Sequence, residues 1–446
     1  MVVDVSLAAP SSARVPAAPP VGTSLGRSTG VLLAGQGLRV LTQGAVFLLV
    51  ARELGASAFG VYATVAAVAE IALCFTGFGL ASVMVRDVAR DAVRARLAWS
   101  ETVRFTVASG LALSALGTLV LMAAGRAQAS AITVALLMVA DTVGTRLAET
   151  VGLLWQTQGR SAYLATLPNV INGLRLLGIL GLLALHRPVT LGAFAWIYLV
   201  AVLVPTCAAV LSTTRRFGWT RERLPGRRAR IRTGLTFSAS GASASVTDDI
   251  DKALIAALLN AQAVGIYAAA YRVLDMAYVP VRAIAAAAYP AYFRAGAGGV
   301  VGSLQVARRV VPWVALYGVS AGTLLWSAAP LITGVLGPDY SHSTALIQGL
   351  AALVALRGVG IMGGDALTGS DRNALRLRIQ LGAAGLNIGL NLVLIPSVGV
   401  AGAVVATLIS EAAFAAVIWA SVLRAVRAER KMAARPSVAE LGGAHA

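Results

Sequence analysis

The chain carries little charge for its length. Only 13% of its 446 residues are Asp, Glu, Lys or Arg, whereas a soluble protein carries about 25%. Hydrophobic residues make up 58% of the chain, and its mean hydropathy is +0.78. This composition excludes a soluble globular protein and predicts an all-α integral membrane protein with many spans.

Cysteine and histidine are also scarce, with two and three copies respectively. Cys74 and Cys207 lie inside apolar runs, where we expect them to act as small packing residues. The three histidines are scattered along the chain, and neither residue type has the spacing of a metal site. We therefore predict no disulfide framework, no metal and no cofactor.

Acidic residues are few beside basic ones, 19 against 37, which gives a net charge of +18. In a soluble protein this balance would suggest binding to nucleic acid. In a membrane protein it has a simpler explanation, because cytoplasmic loops are enriched in Arg and Lys. We therefore expect no nucleic-acid partner.

Apolar runs of about 20 residues, each long enough to cross a bilayer as a helix, follow one another through most of the chain. They predict about twelve transmembrane helices. The predicted spans are 31–51, 60–84, 98–124, 131–154, 163–185, 189–211, 234–257, 264–290, 310–336, 343–366, 375–395 and 400–423.

The spacing of these runs predicts two six-helix lobes, at 31–211 and 234–423. The segment 212–233 between them is rich in arginine and reads as a basic cytoplasmic linker. Residues 1–30, which are rich in Ala, Pro and Ser, predict a disordered cytoplasmic tail. Residues 424–446 predict a second, basic cytoplasmic tail.

The distribution of cations predicts the orientation. With the N-terminus in the cytoplasm, the inner segments collect 25 Arg and Lys residues, and the outer loops hold only Arg52, Arg126 and Arg187. Cytoplasmic loops carry such an excess. We therefore expect both termini, and the basic linker, to be cytoplasmic.

A ten-residue stretch occurs twice, at Leu54–Ala63 and Leu259–Ala268, with six identical positions. Each copy precedes the second predicted span of its lobe, and in this register Glu70 falls opposite Asp275. A repeat at this distance indicates a duplicated half rather than a short solenoid repeat; the alternative is chance similarity in a membrane chain rich in Ala and Gly. Transporters built from such halves hold their substrate between them, and we expect the two copies to superpose by rotation about an axis near the membrane normal.

Several polar residues lie inside the predicted spans, where a charge costs roughly 2.5–3.5 kcal/mol on insertion scales and needs a partner or a wet cavity. Gln36, Arg39 and Gln43 share one helical face. Further candidates for substrate binding are Arg146, Arg175, Arg272 and Arg357. Candidates for cation coupling or ion pairing are Glu70, Asp141, Asp251, Lys252 and Asp275.

Two interpretations of these charges are open. Local pairing is one, since Arg146–Glu149, Arg272–Asp275 and Asp248–Lys252 have the spacing of neighbours on a helix. An anionic ligand is the other, because Arg39, Arg175 and Arg357 have no carboxylate within a helical turn. Guanidinium groups bind phosphate oxygens in a bidentate manner and stay charged at physiological pH.

Four motifs, in order, resemble the polysaccharide transporter family, the O-antigen-type lipid-linked oligosaccharide flippases of the MOP exporter superfamily. They cover roughly residues 31–424. The motifs are Ala51-Arg52-Glu53-Leu54-Gly55 with Phe59-Gly60-Val61-Tyr62; Asp251-Lys252 with Gly265-Ile266-Tyr267 and Tyr271-Arg272; Tyr289-Pro290; and Asn387, Asn391 and Ile395-Pro396 with Gly399-Val400-Ala401-Gly402-Ala403.

The resemblance implies a V-shaped, MATE-like pair of lobes in the bacterial cytoplasmic membrane. A non-enzymatic flippase of this family moves a polyprenyl-diphosphate-linked glycan to the outer leaflet by alternating access, with cavity arginines holding the diphosphate. Arg39, Arg52 and Arg272 match positions where related flippases place such cations. The implied partners are membrane lipid and the polysaccharide polymerase or glycosyltransferases.

Three alternatives are weighed against this interpretation. A cation-coupled multidrug antiporter of the same superfamily would use a buried carboxylate such as Glu70, Asp141 or Asp275. A major-facilitator transporter would carry glycines around Val85-Arg86-Asp87-Val88, which are missing. A membrane glycosyltransferase would need a sizeable outer loop, whereas every predicted outer loop is short.

Overall fold

The computed structural model describes residues 25–125, 128–158, 160, 162–222 and 226–433. Within these ranges the chain is almost wholly α-helical and contains no β-strand, which confirms the predicted all-α class. Most of the two predicted tails, residues 1–24 and 434–446, lies outside the described residues.

Fourteen α-helices occur in the described ranges, together with short 3₁₀ turns and one π-helical turn at Ala140–Thr145. The α-helices are α1 Leu25–Phe75, α2 Leu80–Arg90, α3 Ala95–Ala123, α4 Ala131–Val139, α5 Arg146–Thr157, α6 Ala162–Ala184, α7 Leu191–Phe217, α8 Arg227–Leu258, α9 Ala261–Gly296, α10 Val300–Leu336, α11 Ser343–Leu350, α12 Leu353–Gly369, α13 Asn373–Val398 and α14 Val400–Ala433.

Helix α1 consists of two arms that meet at Gly55. This glycine has φ 70° and ψ 169°, which no residue inside a helix adopts. The rings of Phe47 and Phe59, one on each arm, lie 5.7 Å apart, whereas twelve residues of straight helix would separate them by about 18 Å. The chain therefore folds back at Gly55, and the two arms correspond to the first two predicted spans.

Nine ranges within the described part of the chain are long and apolar enough to cross a membrane, and the first, Arg39–Val88, contains both arms of α1. The helices α8 and α9, of 32 and 36 residues, match the seventh and eighth predicted spans. They are not among the nine, and each carries charged residues. A multi-pass membrane protein is supported, while the count of twelve spans stays a prediction.

The helices before and after the α7–α8 connection form an N-terminal and a C-terminal bundle. The two bundles meet mainly where α1 packs against α8 and α9. We call the two ends of the molecule the Gly55 end, which includes the α8–α9 connection, and the linker end, which includes the α7–α8 connection.

The repeated stretch forms the contact between the bundles at the Gly55 end. A Cβ atom on Gly60 would lie 1.6 Å from the carbonyl oxygen of Ala261, and one on Gly265 would lie 1.9 Å from that of Ala56. Each glycine therefore contacts the other copy of the repeat, and a side chain at either position would collide with backbone. Small residues let helices in membranes approach this closely. We call this contact the glycine crossing.

Two hydrogen bonds also join elements at the Gly55 end. The Tyr340 hydroxyl donates to the carbonyl oxygen of Ala51 at 3.0 Å, and the Ser343 hydroxyl donates to that of Ile266 at 3.1 Å. Because Tyr340 belongs to the C-terminal bundle and Ala51 to α1, the first of these bonds reinforces the glycine crossing.

At the linker end the first turn of α8 is anchored to the N-terminal bundle. The buried guanidinium of Arg230 makes ion pairs with Asp87 at 3.2 Å and with Glu101 at 3.1 Å. One turn further on, a Cβ on Gly234 would lie 2.1 Å from the carbonyl oxygen of Phe78. The α8 helix therefore stays close to the N-terminal bundle at this end.

The connection between α7 and α8 is shorter than the predicted linker 212–233, because α7 continues to Phe217 and α8 begins at Arg227. It packs on α3, where Arg96 donates to the carbonyl oxygen of Trp219 and Arg104 donates to that of Thr220. The division of the chain into lobes at 31–211 and 234–423 stays a prediction.

Candidate functional site

A cavity of about 550 Å³ lies between the two bundles. Both arms of α1, the π-helical turn with α5, and α6 and α7 line it from the N-terminal bundle; α8 and α9 line it from the other. Ligand pockets commonly enclose about 300–1,000 Å³ and lie between domains or between helices. The cavity is therefore the candidate substrate site.

Four of the predicted substrate-binding residues line this cavity: Arg39 and Gln43 on α1, Arg175 on α6, and Arg272 on α9. They come from both bundles. Arg52 is exposed and does not line the cavity. The side chain of Gln36 lies outside the part of the chain whose side chains are described.

The two remaining predicted arginines also lie outside the cavity lining, and each has a carboxylate partner. Arg146 pairs with Glu149 at 3.0 Å, as their spacing predicted. Arg357 pairs with Glu411 at 2.6 Å. Arg357 has no carboxylate within a helical turn, as predicted, but the inference that it is unpaired was wrong: its partner lies on α14, 54 residues further along the chain, where helical spacing gives no warning.

One part of the cavity is rich in charge. We call it the arginine zone, and its residues are Arg39, Arg272, Arg282, Glu70, Glu149 and Asp275. Arg39 is electrostatically coupled to the like charges of Arg272 and Arg282 and to the opposite charge of Glu149. The three arginines therefore lie near one another although they come from different bundles.

Within the described residues, neither Arg39 nor Arg272 makes an ion pair with a carboxylate. The predicted pair Arg272–Asp275 does not form. Instead, Arg282 donates to the backbone oxygen of Asp275 at 3.2 Å. The remaining predicted pair involves Asp248, whose side chain lies outside the described part. Two unpaired guanidinium groups from opposite bundles thus face one cavity.

The other part of the cavity is rich in rings. We call it the aromatic zone, and its residues are Phe59, Tyr62, Phe194, Tyr198, Asp141 and Arg175. The Tyr62 ring lies 5.2 Å from that of Phe194 and 6.3 Å from that of Tyr198. These edge-to-face contacts have the spacing that aromatic pairs prefer.

A guanidinium, a phenol and a carboxylate adjoin one another in the aromatic zone. The Tyr198 hydroxyl donates a hydrogen bond to the Asp141 carboxylate. The Arg175 guanidinium lies 3.6 Å from the centre of the Tyr198 ring, a cation–π contact. The Nε of Arg175 is buried and has no hydrogen-bond partner among the described residues, so this cation keeps an unused donor beside the cavity.

Local structure explains how Asp141 reaches the cavity. It lies in the π-helical turn Ala140–Thr145, between α4 and α5. A π turn inserts extra backbone into a helix, so the residues on either side of it face different directions; such turns often occur at functional sites. The neighbouring Thr142 is fully buried and donates to the carbonyl oxygen of Met138 at 2.8 Å, which stabilises the turn.

The predicted coupling residues separate into two groups. Glu70, Asp141, Lys252 and Asp275 line the cavity. Asp251 does not: it is 2% exposed and lies inside the C-terminal bundle.

The Asp251 carboxylate accepts three hydrogen bonds from neutral groups. The donors are Tyr267 at 2.8 Å, Thr407 at 2.9 Å and Asn391 at 3.2 Å. These bonds connect α8 to α9, α13 and α14, and no ion pair to Asp251 occurs among the described residues. A buried charge normally has a partner; here the hydrogen bonds come from neutral groups, while the charges of Lys252 and Arg357 act on Asp251 only electrostatically.

Sequence reasoning did not identify several residues of these sites. Tyr198 and Thr407 were missed because a Tyr or Thr in an apolar span is usually a packing residue. Tyr62 and Tyr267 occupy the same position in the two copies of the repeat, and this repetition was the available signal. Tyr62 lines the cavity, and its counterpart binds Asp251.

Comparison with known proteins identifies the family and the fold. Residues 25–295, more than half of the chain, match the family described as Polysaccharide biosynthesis protein. No curated protein sequence matches the chain. An inward-facing multidrug resistance MATE family transporter of the MOP superfamily has a TM-score of 0.74 at 14% identity, over 89% of this chain and 96% of that one.

Two further solved structures have the same fold. An outward-facing MATE transporter gives a TM-score of 0.61 at 16% identity, over 90% of this chain and 94% of that one. The lipid II flippase MurJ, in an inward closed conformation, gives 0.72 at 10% identity, over 88% of this chain and 87% of that one. The chain therefore belongs to the polysaccharide biosynthesis protein family and has the helical transporter fold of the MOP superfamily.

Proposed function

We propose that this protein is a flippase that moves a polyprenyl-diphosphate-linked oligosaccharide from the cytoplasmic to the outer leaflet of the bacterial cytoplasmic membrane. The observation that carries the proposal is that Arg39 and Arg272, which make no ion pair within the described part of the chain, face one cavity from opposite bundles. The family description, polysaccharide biosynthesis, supports a glycan as cargo.

A diphosphate suits these two arginines physically. An unpaired guanidinium inside a membrane protein is costly, and a ligand with several anionic oxygens removes that cost by accepting charge-assisted, bidentate hydrogen bonds. Because Arg39 and Arg272 belong to different bundles, a diphosphate held by both would also favour one relative position of the bundles. Ligand binding would thereby be linked to alternating access.

The proposed orientation puts both termini and the α7–α8 connection in the cytoplasm, so the Gly55 end faces outwards. In that orientation the glycine crossing closes the outer side of the cavity, and substrate enters from the cytoplasmic leaflet. The TM-score is higher with the inward-facing MATE structure than with the outward-facing one, which supports the same arrangement.

The test is translocation in proteoliposomes, read as the appearance of a labelled glycolipid in the opposite leaflet. Arg39→Ala and Arg272→Ala should each lower the rate by roughly tenfold to a hundredfold, because each removes a charged hydrogen-bond donor. Arg272→Lys should restore little, since an ammonium lacks the planar fork. Arg52→Ala is the matched control on α1, because Arg52 is exposed and outside the cavity lining. Wild-type rates in both Arg39→Ala and Arg272→Ala would rule out the proposal that these two arginines bind the diphosphate together.

Asp251 is the proposed coupling carboxylate. Its three neutral donors join four helices of the C-terminal bundle, so uptake of a proton or a cation there would change how those helices pack. Asp251→Asn should leave glycolipid binding intact but remove the dependence of the rate on an imposed proton or sodium gradient. If the variant still responded to the same gradient as the wild type, the coupling role would be excluded.

The second candidate is a cation-coupled multidrug antiporter. Its supporting observation is the charge balance of the cavity, which five cationic side chains and four carboxylates line together with aromatic rings. The excess of arginine predicted from the sequence is therefore small inside the cavity itself. Saturable efflux of lipophilic cations, without movement of glycolipid, would favour this candidate over the flippase.

A further inference from the structure

We propose that the aromatic zone is a sugar subsite, in which Arg175 and Asp141 bind the hydroxyl groups of the neutral sugar attached to the diphosphate, beside the ring of Tyr62. This inference rests on the proposed flippase function and specifies which part of the substrate the protein recognises. It also assigns Asp141 to substrate recognition instead of coupling.

The two zones lie one above the other along the cavity. On α1, Phe59 and Tyr62 are four and seven residues from Gly55, or about 6 and 11 Å along the helix. Arg39 is sixteen residues from Gly55 on the other arm, or about 24 Å. The aromatic zone is therefore the part nearer the Gly55 end, and the arginine zone extends towards the linker end.

The zones are also adjacent to each other. Tyr62 lies within electrostatic range of Asp141 and Arg175 in its own zone and of Arg272 in the arginine zone. A diphosphate bound between Arg39 and Arg272 would therefore place the group bonded to it beside Tyr62. In the proposed substrate that group is the first sugar.

A sugar matches the chemistry of the aromatic zone. A pyranose ring has apolar C–H faces that pack on aromatic rings, and its hydroxyl groups each donate and accept hydrogen bonds. Tyr62 is half-buried and presents the most open ring, whereas Phe194 and Tyr198 are only 2% and 4% exposed and support it from behind. The zone thus offers an apolar face flanked by polar groups.

The polar groups of the zone favour a neutral sugar over an acidic one. Arg175 offers its Nε, which has no hydrogen-bond partner in the part of the chain that the structure describes. The Asp141 carboxylate accepts one bond from Tyr198 and has about four acceptor sites in all. A hydroxyl group can satisfy both residues, whereas the carboxylate of an acidic sugar would meet a like charge at Asp141.

The size of the cavity limits what is recognised. A volume of about 550 Å³ suits a drug-sized group, which corresponds to the diphosphate and one or two sugars. Sugars further along a longer glycan would lie outside this subsite. The protein would therefore discriminate among substrates by the sugar next to the diphosphate and tolerate variation further along the glycan.

The test compares four fluorescent polyprenyl diphosphates in proteoliposomes: one without sugar, and three carrying a neutral hexose, an N-acetylhexosamine or a uronic acid. The wild type should move one of the two neutral-sugar lipids at least roughly tenfold faster than the lipid without sugar, because without a sugar the polar groups of the zone stay unpaired. Arg175→Ala and Asp141→Asn should each reduce this ratio to near one, and the readout is the ratio of the two rates measured on the same variant.

Further variants separate the roles of the residues. Tyr198→Phe keeps the ring beneath Arg175 and removes only the hydroxyl that orients Asp141, so it should lower the sugar preference less than Asp141→Asn does. Arg39→Ala should lower the rates of all four lipids by a similar factor. A similar loss of rate for all four lipids indicates a residue that binds the diphosphate, whereas a loss of preference among the lipids indicates a residue that binds the sugar.

The outcomes distinguish the two proposals. Equal wild-type rates for all four lipids, or an unchanged preference in both Arg175→Ala and Asp141→Asn, would overturn the sugar subsite and leave the flippase standing. A wild-type preference for the uronic acid that Arg175→Ala removes would overturn the neutral-sugar assignment. If no lipid is moved, the proposed function itself fails.

Discussion

The glycine crossing gives a prediction that depends only on backbone geometry. Gly60→Ala would place a methyl carbon 1.6 Å from the carbonyl oxygen of Ala261, whereas ordinary contacts begin at 3.4 Å. The obstacle is backbone and cannot rotate away. The second arm of α1 and the first turn of α9 must therefore separate by about 2 Å to accept the methyl group.

This separation destabilises the state in which the two bundles are in contact at the Gly55 end. Overpacking a tight contact costs about 1–3 kcal/mol, and a state in which the bundles have moved apart at this end avoids that cost. Such a difference shifts a two-state equilibrium by roughly 5-fold to 150-fold. Gly265→Ala should have the same effect, because its Cβ would lie 1.9 Å from the carbonyl oxygen of Ala56.

Thiol accessibility measures this shift. Ala63 lines the cavity next to the crossing and is 7% exposed. In a chain carrying Ala63→Cys and lacking Cys74 and Cys207, an impermeant maleimide added on the side of the Gly55 end should react faster in both glycine variants than in the parent.

Gly385→Ala is the matched control, because a Cβ at this helical glycine has nothing within 4 Å. It should leave the labelling rate unchanged. Thermal unfolding in detergent shows whether each variant is folded. If both Gly60→Ala and Gly265→Ala are folded and their labelling rates are unchanged, the glycine crossing does not close the cavity.

Three further predictions concern the remaining contacts. Tyr340→Phe removes one hydrogen bond across the Gly55 end, worth about 0.5–1.5 kcal/mol, so the same labelling assay should show a smaller increase than Gly60→Ala gives. Arg230→Ala leaves two buried carboxylates without their cation and should lower the free energy of unfolding by about 3–5 kcal/mol; the exposed control Arg228→Ala should change it by less than about 0.5 kcal/mol in chemical denaturation. Thr407→Val removes a donor to Asp251 and should weaken the response of translocation to an ion gradient, which a normal response would contradict.

The fold class could be predicted from the sequence because apolar runs of bilayer length dominate the composition. The repeat was also informative, since it contains the residues that form the crossing. The break in α1 had only one sign in the sequence, Gly55 between two runs. Its physical cause is a backbone conformation, φ 70°, that glycine adopts without strain.

The charge partners could be predicted only in part, because helical spacing reports neighbours on the same helix. It predicted Arg146–Glu149, which forms, and could not reveal that Arg357 meets Glu411 on another helix. The same spacing permits Arg272–Asp275 without requiring it. The contact of Asp141 with Tyr198 depends on a π turn and on the packing of α7, and neither follows from a periodic pattern.

The reciprocity of the glycine crossing has a consequence for how the two halves can evolve. Residue 60 touches 261 while 265 touches 56, so the contact is isologous, as between identical subunits around a dyad. If the halves arose by the predicted duplication, one ancestral surface served as its own partner, and a substitution there altered both sides at once. In the present chain the glycine crossing still requires a small residue in both copies. The cavity has no such requirement, because most of its lining comes from the N-terminal bundle. The substrate specificity of the cavity can therefore diverge while the glycine crossing remains symmetric.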